Sequence, residues 1–162
     1  MKKIYRHYGA GKFDPTHELS TEKRKPDGLF ACPKRTAWEW VECLKADWCG
    51  TLYPGKNADS FFDFRLKKGT KILRLHNLRD IAPYLKADEN YMWFKNSCPD
   101  EMEKDITLGM TVDMDKLKRH FDGIEVYLNN KTCGELTLSY MFSMYETDTL
   151  IIWNLDRVVE VA

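Results

Sequence analysis

Ile4-Tyr5-Arg6-His7-Tyr8-Gly9 reads as a short first strand running into a turn at Gly9-Ala10-Gly11. Glycine has no Cβ and tolerates backbone angles closed to other residues. A strand end followed by two glycines therefore lets a ligand approach the backbone closely. One imidazole, one guanidinium and two phenols sit together there. Taken alone, His7 reads as a satisfied side chain on an edge strand. A second stretch changes that reading: Gly28-Leu29-Phe30-Ala31 is a short buried strand ended by Pro33, and it leads into a tryptophan-rich helix.

That helix starts at Thr36, where Thr36 and Glu39 form a capping box that satisfies two orphan backbone donors. Ala37, Trp40, Val41, Leu44 and Trp48 recur at helical spacing as the buried stripe, with Gly50 as the stop. Trp38 falls beside the stripe and is the ligand-facing candidate among the tryptophans. Between the two opening strands, Phe13 to Asp27 is polar, carries two prolines and reads as a long loop.

Further along, Ser60 to Leu66 alternates, with Phe62, Phe64 and Leu66 on one face, and reads as a half-buried strand. After a turn at Lys68-Gly69, Lys71 to Leu75 alternates again, and the two segments are expected to pair as an antiparallel hairpin. Asn77 to Leu85 reads as a short helix, and Asp88 to Lys104 fits neither helix nor loop clearly. Asp113 to Phe121 is helical in pattern, and Ile124 to Leu128 is a strand. Leu136 to Tyr145 is apolar and ambiguous. Leu150 to Trp153 is a buried strand, and Arg157 to Val161 is the last one. Strands mix with helices without regular βαβ alternation, which predicts an α+β fold in one domain over residues 1–162.

The composition narrows the function classes. With 162 residues, 43% hydrophobic and 31% charged, the chain can bury a real core. Lys+Arg and Asp+Glu are both 25, so no overall basic balance points to a phosphate backbone as the dominant partner. Lys23-Arg24-Lys25 and Lys34-Arg35 read as solvated loop charges. Five cysteines, Cys32, Cys43, Cys49, Cys98 and Cys133, lack the paired spacing of a zinc site and read as free thiols in a reducing cytoplasm. No signal peptide follows Met1, and no apolar run is long enough to span a membrane. Gly9-Ala10-Gly11-Lys12 lacks the spacing of a P-loop, there is no Gly-x-Ser-x-Gly elbow, and His7, His17, His76 and His120 form no metal-ligand pair.

Read together, three pieces resemble the ADP-ribosyltransferase fold of the diphtheria-toxin and poly(ADP-ribose) polymerase type. The first is Tyr5-Arg6-His7-Tyr8-Gly9, similar to a first strand in which a His is closely followed by Gly; here one residue intervenes. The second is Gly28-Leu29-Phe30-Ala31 with its following helix, similar to a Gly-hydrophobic-aromatic-Ala strand that leads to a nicotinamide-stacking aromatic. The third runs from Tyr145 to Val158, where an acidic residue opens the apolar strand Thr149-Leu150-Ile151-Ile152 and a turn leads to the final strand.

The resemblance implies a mostly antiparallel, mixed and split β-sheet with a few flanking helices. It implies NAD as cofactor, contacted by His7, Tyr8, Gly9, Phe30 and Trp38, with Asp148 as the catalytic acid and Glu146 as the second candidate. The family's helix tyrosine is not matched, so Trp38, Tyr53 or Tyr8 stands in for it. The implied partners are NAD and a protein or nucleic-acid acceptor, with neither metal nor membrane. The implied activity is mono-ADP-ribosyl transfer; the alternatives are an NAD glycohydrolase and a non-enzymatic protein-binding module on the same fold. In chemical terms, breaking the nicotinamide–ribose bond builds positive charge at the ribose, which a nearby carboxylate stabilises.

Overall fold

Alternating apolar segments become strands in the computed structural model, which describes residues 3–16, 28–38, 41, 59–92, 108–127 and 148–161. Among these, seven strands form one mixed sheet: β1 (Tyr5–Tyr8), β2 (Leu29–Pro33), β3 (Phe61–Leu66), β4 (Ile72–Leu75), β7 (Gly123–Val126), β8 (Thr149–Ile152) and β9 (Val158–Val161). Their order across the sheet is β4-β7-β8-β2-β1-β3-β9. Two further strands, β5 (Leu85–Met92) and β6 (Leu108–Val112), pair antiparallel in a separate ribbon. Every pair in the large sheet is antiparallel except β4 with β7. The class is mixed α+β with few, short helices, as the sequence predicts.

The expected hairpin of Ser60–Leu66 with Lys71–Leu75 does not form. Both edges of β3 are occupied, by β1 and by β9. The chain turns at Lys67–Thr70, with Gly69 at φ 85, and enters β4 at the far edge of the sheet, parallel to β7. On a flat sheet β3 and β4 would stand five strand spacings apart, about 24 Å. The chain from Leu66 to Ile72 reaches at most about 21 Å even when fully extended. The sheet must therefore curl over. Leu66 and Ile72 pack against the same apolar cluster, so that cluster lies on the inner face.

The inner cluster comprises Tyr5, Leu29, Ala31, Phe62, Phe64, Leu150, Ile152 and Val158. Asp122 pins the curl. Its side chain accepts from the Lys71 amide at 2.8 Å and the Asn154 side chain at 2.6 Å, and it meets Arg157 Nε at 3.4 Å. Burial pushes its carboxyl up, but these donors together hold it below the ordinary carboxylate range. At Gly123 a Cβ would stand 2.6 Å from the Ile151 carbonyl oxygen, so glycine is what lets β7 approach β8 there.

The other face carries Leu75, Ile124, Val126 and Ile151 and is covered by helical segments. Helix α1 (Leu78–Ile81) passes directly into a 3-10 turn, Ala82–Tyr84, so the predicted helix stops before Leu85, which opens β5. Helix α2 (Met114–His120) begins at Asp113, whose side chain accepts from the Lys116 amide at 3.0 Å. It buries Leu117 against Ile124 and its neighbours. The helix predicted from Thr36 is preceded by a 3-10 turn, Lys34–Thr36, and the Thr36 hydroxyl donates back to the Pro33 carbonyl. Glu39, the other half of the expected capping box, lies outside the described residues, as do Leu136 to Tyr145. No helix among the described residues is long and apolar enough to cross a membrane.

Candidate functional site

The three sequence pieces singled out above fall on β1, β2 and β8, which are consecutive in the sheet. The ladder between β1 and β2 pairs Tyr5 with Pro33 and Arg6 with Cys32. Beyond it the imidazole of His7 bonds to β2: His7 Nδ1 lies 2.6 Å from the Phe30 carbonyl oxygen. A carbonyl only accepts, so Nδ1 carries the hydrogen, and in the neutral ring Nε2 holds the lone pair. The ring leans on Phe62 at 5.1 Å, and Phe13 meets Phe62 at 5.7 Å.

Gly9 follows at φ 101, a conformation that favours glycine, with its amide donating to the Ser60 carbonyl at 2.8 Å. That amide is spent within the fold.

Asp148 immediately precedes β8 and is 5% exposed. Continuing the β2–β8 register by two pairs sets it level with Pro33, and hence with Tyr5. Strand alternation puts its side chain on the inner face with Leu150, Tyr5 and His7. On a flat sheet the Cα atoms of Asp148 and His7 would be about 12 Å apart, and the curl shortens that. Glu146, the second acidic candidate, lies outside the described residues.

The predicted aromatic residues divide differently. Phe30 meets His7 through its backbone only; its ring packs with the helix-side cluster of Leu75, Ile124 and Ile151. The Phe30 ring therefore faces away from His7: its neighbour Ala31 joins the inner cluster, and adjacent positions on a strand face opposite ways. Tyr8 is buried with Cys32 and Ala37, and its hydroxyl donates to the Ala37 carbonyl at 3.2 Å. Trp38, next in the chain, is 63% exposed. Beside Tyr8, Arg6 grips Asp63 with two bonds, 2.7 and 3.0 Å, and stacks on Phe61 at 3.7 Å. The Arg6 bonds hold the Asp63 carboxyl below its ordinary value, against burial and with help from Lys34.

One polar group on the inner face escaped the sequence reading. Glu125 on β7 has a side chain only 1% exposed. Its Oε1 accepts from Lys3 Nζ and from the Tyr5 hydroxyl at 3.1 Å; its Oε2 accepts from the Tyr127 hydroxyl at 2.7 Å. Arg74 Nε approaches to 3.8 Å, and His76 stacks flat on Tyr127 with ring centroids 4.4 Å apart. Burial first, and then the hydrogen bond and charge of Glu125, push the Tyr5 and Tyr127 phenols above their ordinary values. The available signal was a carboxylate inside the apolar strand Gly123-Ile124-Glu125-Val126.

Among the described residues no group of three His, Cys, Asp or Glu side chains is arranged to hold a metal ion. Cys32 is buried, with its Sγ 3.6 Å from the Arg6 carbonyl oxygen, and the other four cysteines lie outside the described residues. No family model, curated protein or solved structure matches this chain.

Proposed function

We propose that this chain is an NAD-dependent mono-ADP-ribosyltransferase that modifies a macromolecular acceptor. The observation that carries the reading is that His7 and Asp148, at opposite ends of the sequence, stand on one face of the three consecutive strands β8, β2 and β1. Those strands hold the three pieces whose sequence resembles the ADP-ribosyltransferase family.

The residues fit the cofactor in chemical terms. NAD supplies an electrophilic ribose carbon and nicotinamide as its leaving group. His7, fixed by the Phe30 carbonyl with Nε2 as the acceptor, suits a ribose hydroxyl. Asp148, at the entry to β8, supplies negative charge where positive charge develops at the ribose. Burial of that carboxylate strengthens its electrostatic effect relative to water. The aromatic wall on this face falls to Phe62, on which His7 leans, and to Phe13, which packs against Phe62.

A specific observation favours a second reading as well. Trp38, Phe61 and Val159 are 63%, 38% and 45% exposed, as in a protein-binding module. Calorimetry with NAD at about millimolar concentration separates the two, since a pure binding module takes up no NAD. Nicotinamide release without a target marks a glycohydrolase; transfer of label from NAD to protein or nucleic acid marks the transferase. Asp148→Asn should keep NAD binding and lower turnover by about 10²–10³-fold. If Asp148→Asn keeps full activity and Glu146→Gln loses it, the carboxylate is Glu146. If both keep it, the assignment at β8 is wrong.

A further inference from the structure

Glu125 cannot be a reacting group, because both its oxygens are occupied and its side chain is closed to solvent. A buried carboxylate costs several kcal/mol of desolvation even after relaxation, and a well-packed apolar residue in its place is often as stable or more so. What the carboxylate does that leucine could not is hold two phenols at fixed points. Those points bracket Asp148. Tyr5 on β1 is level with it across β2, and Tyr127, the residue after β7, is directly opposite it when the β7–β8 register is continued by one pair. Lys3 adds a third tie from the start of the chain, lying over the rings of both phenols at 5.3 and 4.9 Å. Arg74 faces the same carboxylate from β4 without a hydrogen bond to it.

We propose that Glu125 is a positioning residue: through Tyr5 and Tyr127 it ties β1 to β7 across β8 and β2 and so sets how His7 stands relative to Asp148. Tyr5 lies two residues before His7 on the same strand, so its tether fixes the strand that presents the imidazole. The inference rests on the reading of His7 and Asp148 as site residues, and Glu125 itself touches no substrate.

Glu125→Gln tests it with two readouts. The first needs no activity. The His7 Nδ1 proton, bonded to the Phe30 carbonyl at 2.6 Å, should give a downfield, slowly exchanging NMR signal. In Glu125→Gln that signal should shift or broaden, because the amide cannot accept from Lys3, Tyr5 and Tyr127 together. The second is nicotinamide release: kcat should fall about tenfold or more while KM for NAD stays within about threefold, the split expected when geometry rather than binding is lost.

A folded Glu125→Gln with the His7 signal and kcat both unchanged overturns the proposal, as does a rise in KM alone. Should wild type release no nicotinamide and bind no NAD, the transferase reading falls, and the His7 signal alone decides whether Glu125 positions β1. If Glu125→Gln does not fold, Tyr127→Phe removes one donor and leaves the carboxylate held by Lys3 and Tyr5. It should give the same changes in smaller measure, and no change overturns the proposal.

Discussion

Replacing His7 by Phe removes the bond to the Phe30 carbonyl and keeps a ring of similar size against Phe62. The loss therefore reads the hydrogen bond rather than a cavity. His7 is half-buried and the ladder from β1 to β2 runs through Arg6 and Cys32, so the carbonyl loses the imidazole donor at the end of that ladder. Leaving such an acceptor unsatisfied costs about 1–2 kcal/mol. In a domain of this length each kcal/mol moves Tm by about 2–4 °C, which predicts a fall of about 2–8 °C by calorimetric melting. The substitution also removes Nε2 as an acceptor. Losing one ligand hydrogen bond of about 1 kcal/mol weakens NAD binding about fivefold by titration calorimetry. A fall in Tm with NAD affinity unchanged would make His7 a structural histidine and sink its role toward the cofactor. An unchanged Tm would mean that the Phe30 bond contributes nothing to stability.

Three further outcomes follow from the geometry. Gly123→Ala should cost about 1–3 kcal/mol in urea denaturation, since its Cβ would stand 2.6 Å from the Ile151 carbonyl oxygen, a backbone atom that cannot swing away. Asp63, with its carboxyl held below the ordinary 3.8 first by the Arg6 bonds, contributes stability that is present above that value and lost as pH falls through its lower folded value. Urea midpoints for wild type and Asp63→Asn should therefore differ at neutral pH and converge on acidification; a constant difference would refute the pairing. Trp38→Ala should leave NAD affinity within about threefold, whereas Phe13→Ala should weaken it about fivefold or more, as expected for losing an aromatic contact of about 1 kcal/mol.

What was legible in the sequence is what local chemistry decides. Period-two alternation placed β3, the apolar run placed β8, and Asp113 at the head of an apolar helical pattern placed α2. Pairing partners were not legible, because they depend on which edge is already taken. Lys71–Leu75 has the pattern of a hairpin partner for β3, yet β1 and β9 occupy that strand first. β5 was missed because its second half falls in Asp88 to Lys104, which is too polar to show strand periodicity. Of the candidate site, His7 and Asp148 were singled out from short motifs, whereas Glu125 was hidden inside a strand pattern that reads as ordinary core. Its partners come from β1, β7 and the start of the chain, and only the curl of the sheet brings them together.

That curl also explains why the predicted aromatic residues separate. A strand presents alternate residues to opposite faces, so His7 and Tyr8, or Phe30 and Ala31, cannot serve the same side of the sheet through their side chains. With the sheet curled over one apolar cluster, the inner face holds His7, Asp148 and the Glu125 network, rich in fixed donors. The other side holds Tyr8 with Arg6, Phe61 and the exposed Trp38, where a cation stacks on an aromatic ring within reach of solvent. A buried carboxylate and a tautomer-fixed imidazole suit a small ligand with one polar orientation, whereas an exposed tryptophan and an exposed Phe61 stacked on Arg6 suit a broad partner surface. On the transferase reading the two faces divide the labour: the inner face takes NAD and the Trp38 side takes the acceptor. Trp38→Ala should then slow label transfer to the acceptor more than it slows nicotinamide release.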